Sequence, residues 1–167
     1  MNLQQAADAV RELATSIPSL FNGVDFGLRL GFGATPRGVG DWSDPDNPSV
    51  LITGDGIGCK SGVYFLCAED GVIAYIGKAG NNNLHHRIWS HLATPQEAGP
   101  GRRLFPNHGF RAECYCSRLS AQIADGRIFL GIITISDRTL VSLVEVYLQT
   151  LHVKLDKDLP LLNRRIG

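Results

Sequence analysis

Two apolar runs decide the fold: Gly62-Val63-Tyr64-Phe65-Leu66-Cys67 and Val72-Ile73-Ala74-Tyr75-Ile76-Gly77. Both are rich in β-branched and aromatic residues, which suit a pleated, half-packed surface. Ala68-Glu69-Asp70-Gly71 lies between them. Asp-Gly between two such runs predicts a β-hairpin with a two-residue type I′ turn, because that turn needs positive φ at both central positions. Cys67, inside the first run, reads as a small buried hydrophobe.

Downstream, Lys78 and Gly80 lead into Asn81-Asn82-Asn83, a set of residues that favour a helix N-cap. Residues 84–93 then read as a helix with Leu84, Ile88 and Leu92 on one stripe. Arg87 and His91 are four apart and flank that stripe rather than oppose it. A basic pair at the edge of a buried stripe suits a cleft, and arginine offers a planar fork for phosphate. Residues 94–109 form a long Pro/Gly/Arg loop, residues 127–136 a buried strand, and Asp137 caps a helix over about 138–155. Pro160 ends the regular part. Strand, strand, helix, loop, strand, helix is an α+β arrangement over 61–167.

Upstream, residues 3–16 carry apolar side chains at helical spacing, and Pro18 closes them. Residues 22–60 are rich in Gly, Pro, Asp and Ser, with two short extended candidates at 26–30 and 50–53. The expected organisation is a 61–167 domain carrying a 1–60 extension, an irregular appendage rather than a second domain. Gly54-Asp55-Gly56-Ile57-Gly58-Cys59-Lys60-Ser61 approximates a phosphate-binding loop, but Cys59 stands where the glycine before the lysine belongs. Such a loop must also open a helix, and a hairpin follows here. A glycine-rich connection into the first strand is the better reading.

Hydrophobic residues make up 44% of the chain and charged residues 19%, which places it among globular rather than disordered sequences. No apolar run is long enough to span a bilayer. The first residues lack the basic and apolar regions of a secretory leader, so a cytoplasmic protein without membrane attachment is the expectation. Net charge is zero, which argues against a strong non-specific grip on nucleic acid. The distribution is uneven: residues 61–167 hold twelve Lys/Arg and nine Asp/Glu, residues 1–60 four and seven. Four histidines and six Lys/Arg, against two acids, fall between Lys78 and Arg118, a candidate footprint for a polyanion. Arg102, Arg103 and Arg111, in or beside the long loop, are candidate phosphate contacts. Cys114-x-Cys116 lacks the usual zinc-knuckle spacing, so a zinc site built with His108 is not favoured.

Glu145 stands in Leu143-Val144-Glu145-Val146-Tyr147-Leu148 and is the only acid between Asp137 and Asp156. Its helical neighbours at i±3 and i±4 are Ser142, Leu148, Val141 and Gln149, none of them basic. A carboxylate in so apolar a helix needs a partner, and a divalent cation is one candidate.

Gly62-Val63-Tyr64 and Tyr75-Ile76-Gly77 on the two arms of one hairpin, Lys78, a following helix with Arg87 and His91, a later helix with Glu145, and Asn163 near the end resemble, in order, the GIY-YIG endonuclease superfamily. The likeness covers nearly all of 61–167, with a somewhat long interval from Glu145 to Asn163. It implies a small mixed or antiparallel sheet flanked by helices and a metal-dependent endonuclease that hydrolyses DNA phosphodiesters with Mg²⁺ or Mn²⁺. By that resemblance Glu145 ligates the metal, Tyr64 is the general base or proton relay, and Tyr75 orients phosphate or water. Arg87 stabilises the transition state, His91 shuttles a proton or positions Tyr64, and Asn163 anchors the C-terminal segment. A tyrosine with its ordinary pKa near ~10 is a poor base at neutral pH, so Tyr64 needs positive charge nearby, from Lys78, Arg87 or the metal.

Two other readings stand beside this one. A non-catalytic nucleic-acid-binding or interaction module with the same fold would bind without cleaving. A nuclease toxin or effector held by an inhibitor protein would use the acidic first 60 residues to cover a basic cleft. RNA is an alternative to DNA as the polymer, and a homodimer would supply the second site that a double-strand cut requires.

Overall fold

The structure is a computed structural model that describes residues 1–32, 56–98, 103–111 and 116–167. Helix α1 (Leu3–Ser16) opens on a reciprocal cap, in which Asn2 Oδ1 accepts from Gln5 N–H and Gln5 Oε1 from Asn2 N–H, both at 2.9 Å. A short helix α2 (Pro18–Phe21) leads to strand β1 (Phe26–Phe32). The hairpin strands are β2 (Gly62–Cys67) and β3 (Ile73–Ala79), followed by α3 (Leu84–Leu92). A two-stranded ribbon, β4 (Gln96–Glu97) with β5 (Arg103–Leu104), and helix α4 (Ser117–Ala124) precede β6 (Phe129–Ile135). A 3₁₀ turn (Arg138–Leu140) enters α5 (Val141–Asp156), with Asp137 accepting from Thr139 N–H at 2.9 Å as its cap.

The main sheet runs β1-β6-β2-β3, with every neighbouring pair antiparallel, so the class is α+β. Helices cover both faces, and the central strands β2 and β6 therefore bury both sets of side chains, whereas Arg29 on the edge strand β1 is exposed. Val63, Phe65, Ile133 and Ile135 face α1 and α5, where Val10, Leu13, Val144 and Leu148 pack. Tyr64, Leu66, Leu130 and Ile132 face α3 and α4, where Leu84, Ile88, Leu92, Leu119 and Ile123 pack. This double burial explains why the strands read as continuous apolar runs instead of alternating ones.

Residues 26–30, expected to be extended, lie in β1 at the sheet edge, Phe26 opposite Ile135. The same N-terminal segment supplies α1 to one core layer, and Ile73 N–H bonds to Met1 O at 2.9 Å. Over residues 1–32 the extension is thus built into the sheet's layers. The candidate strand at 50–53 lies outside the described residues. The Gly-rich stretch before β2 forms only a single 3₁₀ turn (Ile57–Cys59) and opens no α-helix.

The hairpin forms with a longer loop than expected. Gly71 N–H bonds to Ala68 O, Ala68 N–H bonds to Val72 O, both at 2.9 Å, and only Gly71 has positive φ (81°). Glu69, Asp70 and Gly71 form a three-residue loop rather than a type I′ turn, because Asp70 stays out of the left-handed region that only glycine enters freely. Asn83 takes the N-cap position of α3 but its side chain makes no capping bond. Leu84 N–H bonds to Lys60 O at 3.2 Å instead.

Candidate active site

The register of the hairpin brings the two tyrosines together. Tyr64 pairs directly with Gly77, and Tyr75 pairs with Leu66, so both rings lie on the α3 side as diagonal neighbours. Their centroids are 5.9 Å apart. Gly77 makes this possible: a Cβ there would stand 2.6 Å from Tyr64 Cζ and from Tyr75 Cε1. Gly62 is equally constrained, since a Cβ would meet Ile133 O at 2.2 Å. Both motif glycines are therefore steric requirements of the hairpin and its neighbour β6.

Helix α3 delivers the next group. Leu84, Ile88 and Leu92 are fully buried, as their stripe predicts, and this fixes the helix rotation that turns Arg87 and His91 toward β3. His91 Nε2 lies 3.2 Å from the Tyr75 hydroxyl. Its ring stacks on Phe110 at 5.2 Å and sits 6.0 Å from Tyr64. His91 therefore pairs with Tyr75 and only packs near Tyr64. Burial, with help from Arg87, lowers the His91 pKa to about 4, so the ring is uncharged at neutral pH. Arg87 Nε–H reaches Lys78 O at 3.4 Å.

Tyr64 is more enclosed than the other candidate site side chains. It is fully buried, and its hydroxyl has no hydrogen-bond partner. Burial pushes its pKa well above the ordinary tyrosine value; Tyr75 adds to this, and Arg87 opposes it without overcoming it. The positive charge a tyrosinate base would need is present but outweighed by desolvation. With no further positive charge beside it, burial favours the neutral phenol of Tyr64.

On the other side of β3, α5 presents Glu145, which is buried. Its own helix gives it no basic partner, but it has one: Lys78 Nζ lies 2.7 Å from Glu145 Oε2. The partner comes from the neighbouring strand, beyond the reach of helical spacing. The contact is charge compensation without an aligned hydrogen bond, since Oε2 receives no donor of good geometry. One turn on, Gln149 Nε2–H donates to Ile76 O at 3.2 Å. Asn163 makes a two-point clamp on the same residue, accepting from Ile76 N–H and donating to Ile76 O, each at 2.9 Å. It anchors the C-terminal segment as expected.

These groups meet in a cleft of about 350 Å³ at the free edge of β3. Tyr75, Lys78, Arg87, His91, Glu145 and Asn163 line it, and Tyr64 lies behind the wall. Phe110, Gln149, Arg164 and Arg165 line it too and were not anticipated. Gln149 was within reach of sequence reasoning, because it stands four residues after Glu145 on the same helical face. Arg111 is not in this cleft and hydrogen-bonds Asn107 at 3.2 Å. Arg102 lies outside the described residues, and Arg103 opens β5.

The zinc alternative loses its histidine. Phe110 N–H donates to His108 Nδ1 at 3.1 Å, so the proton sits on Nε2, which faces Ser120 O at 2.9 Å. His108 is a satisfied core residue, Cys116 is a free thiol, and Cys114 lies outside the described residues. Among the described residues no three His, Cys, Asp or Glu side chains gather to hold a metal ion. No described helix is long and apolar enough to cross a membrane.

Comparison of the chain with known protein families, with curated proteins and with solved structures finds no match.

Proposed function

We propose that the chain is a metal-dependent endonuclease of the GIY-YIG kind, acting on DNA phosphodiesters. The observation that carries this reading is the meeting of Tyr75, Lys78, Arg87, His91 and Glu145 in one cleft. These residues come from β3, α3 and α5, so separate stretches of sequence supply one constellation. It offers permanent positive charge for a phosphate, an uncharged imidazole for proton transfer, and one buried carboxylate.

The donor set fits a hydrated divalent cation and not an all-protein cage. Glu145 Oε2 is a buried carboxylate oxygen with no aligned donor, and an ion bound there would take the place of the Lys78 ammonium now 2.7 Å away. Mg²⁺ keeps most of its waters and takes one or two carboxylates plus substrate oxygens, which a single glutamate satisfies. Such an ion, Mg²⁺ or Mn²⁺, supplies Lewis-acid stabilisation of charge on the phosphate and leaving oxygen. Arg87 and Lys78 orient the phosphate and offset its developing charge. His91, uncharged at neutral pH, can accept at Nε2 the proton of the Tyr75 hydroxyl 3.2 Å away as that hydroxyl takes one from the attacking water, and the same path in reverse returns a proton to the leaving oxygen. Tyr64 holds Tyr75 in place by ring contact.

One observation favours a second reading, a nucleic-acid-binding module without catalysis. Lys78 already neutralises Glu145, where a metal would otherwise sit. Incubation of pure protein with supercoiled plasmid in Mg²⁺, Mn²⁺ or EDTA separates the two. The nuclease reading predicts nicking in metal and none in EDTA. DNA binding with intact plasmid in every condition would establish the binding module.

A further inference from the structure

Among the described residues, no strand pairs with the outer side of edge strand β3. The C-terminal segment takes that position without forming a strand. Leu162 N–H bonds to Ala74 O at 2.8 Å, and the Asn163 side chain holds both polar groups of Ile76 at 2.9 Å. Gly167 N–H then bonds to Gln149 Oε1 at 2.7 Å. The segment is thus tied at its start to β3 and at its end to α5. Between the ties lie Arg164 and Arg165, and both line the cleft. Arg165 is exposed and has no hydrogen bond or ion pair among the described residues. Sixteen charges of each sign are spread through the whole chain. Among the described residues that line this cleft, Lys78, Arg87, Arg164 and Arg165 stand with one acidic side chain, Glu145, which Lys78 already compensates; Arg164 also has a contact within the chain.

Four cations exceed what one phosphodiester needs. They also come in two pairs on two supports. Lys78 and Arg87 belong to β3 and α3, beside Glu145 and His91. Arg164 and Arg165 belong to the tied segment. We propose that residues 160–167 form a substrate-binding wall and that Arg164 and Arg165 hold a phosphate next to the one held by Lys78 and Arg87. The minimal ligand is then a strand with at least two phosphates, a proposal that rests on the nucleic-acid reading of the cleft. Asn163 is a positioning residue here: it contacts only backbone and sets where the two arginines stand.

The test is binding of a fluorescent single-stranded oligonucleotide in EDTA, measured by anisotropy over a range of salt. Each phosphate contact contributes about 0.7 to the slope of log affinity against log salt for a single strand. Arg164→Ala with Arg165→Ala, which removes the one phosphate contact the two side chains share, is expected to lower the slope by about 0.7, and Arg165→Ala alone by part of that. Arg165→Lys is expected to restore it. Asn163→Leu removes no charge, yet it is expected to weaken binding and lower the slope because the arginines lose their placement. Arg165 is an exposed side chain, so its variants leave the fold intact even if Asn163→Leu does not. Wild-type binding with an unchanged slope in the double arginine variant would overturn this proposal and leave the nuclease reading standing. Absence of oligonucleotide binding by wild type, together with an intact plasmid in metal, would overturn both.

Discussion

The two sides of β3 are built on different physics. One side holds Tyr64, Tyr75, His91 and Phe110 in mutual ring contact, with centroids 5.0 to 6.0 Å apart. Their positions follow from volume: the strand register, the absent side chain of Gly77 and the buried stripe of α3. The other side holds Lys78, Glu145, Gln149 and Asn163, whose positions follow from charge and hydrogen bonds. Packed rings tolerate little change in volume, whereas an ion pair with one partly exposed member adjusts at small cost. The ring side therefore sets geometry, and the polar side carries the charges that a ligand would rearrange.

The steric side can be broken by a single methyl group. Gly77→Ala would place Cβ 2.6 Å from the fully buried Tyr64 ring, which has nowhere to move, and from the half-buried Tyr75 ring. A loss of about 3 kcal/mol is expected, at the upper end for overpacking, read by denaturant unfolding. Gly131→Ala is the matched control, since its Cβ would meet only the tip of Leu3, at 2.4 Å. A loss near 1 kcal/mol is expected there. Equal losses in both variants would show that the ring cluster is no more rigid than its surroundings.

Acid probes the same side. The His91 pKa is held near 4, below its ordinary 6.5, because the fold disfavours the charged ring. Between these values the unfolded chain binds more protons at this residue, so stability falls as pH drops from 6.5 to 4. His91 contributes roughly 2 kcal/mol to that fall, discounted for its part exposure. His91→Gln should lose this part of the pH dependence. NMR titration of the ring should give a midpoint near 4; a midpoint near 6.5 would refute an uncharged His91 held below its ordinary pKa by the fold.

The smallest stability change expected is at Tyr64. Its hydroxyl is buried without a partner, so Tyr64→Phe removes an unsatisfied group. Stability should hold or rise by up to about 1 kcal/mol. Plasmid nicking that persists in this variant would agree with a packing role, and nicking abolished in a fully folded variant would restore the hydroxyl to the chemistry.

The sequence was most informative where the pattern is local. The hairpin, the Leu84/Ile88/Leu92 stripe, α1 and the Asp137 cap are written in short periods or single caps, and all formed. Helix α4 was missed because it is eight residues long, with only Leu119, Ile123 and Gln122 buried. Two apolar residues four apart are too few to stand out from a loop. The Lys78–Glu145 pair was invisible for another reason: its partners are 67 positions apart and meet only through packing of α5 on the sheet. The Asn163–Ile76 clamp is equally long-range; Asn163 was legible as an anchor, but its target was not. Tyr64 shows the limit of reading residue type alone, since only its burial reveals how strongly the fold favours the neutral phenol.

The central claim is that Glu145 and the rings beyond β3 form one hydrolytic site. The most direct measurement is the single-turnover nicking rate of Glu145→Ala against wild type in saturating Mg²⁺, with both proteins folded by circular dichroism. Loss of metal-assisted charge stabilisation predicts a rate lower by at least about 10²-fold. Nicking by Glu145→Ala at the wild-type rate, still dependent on Mg²⁺, would contradict the account.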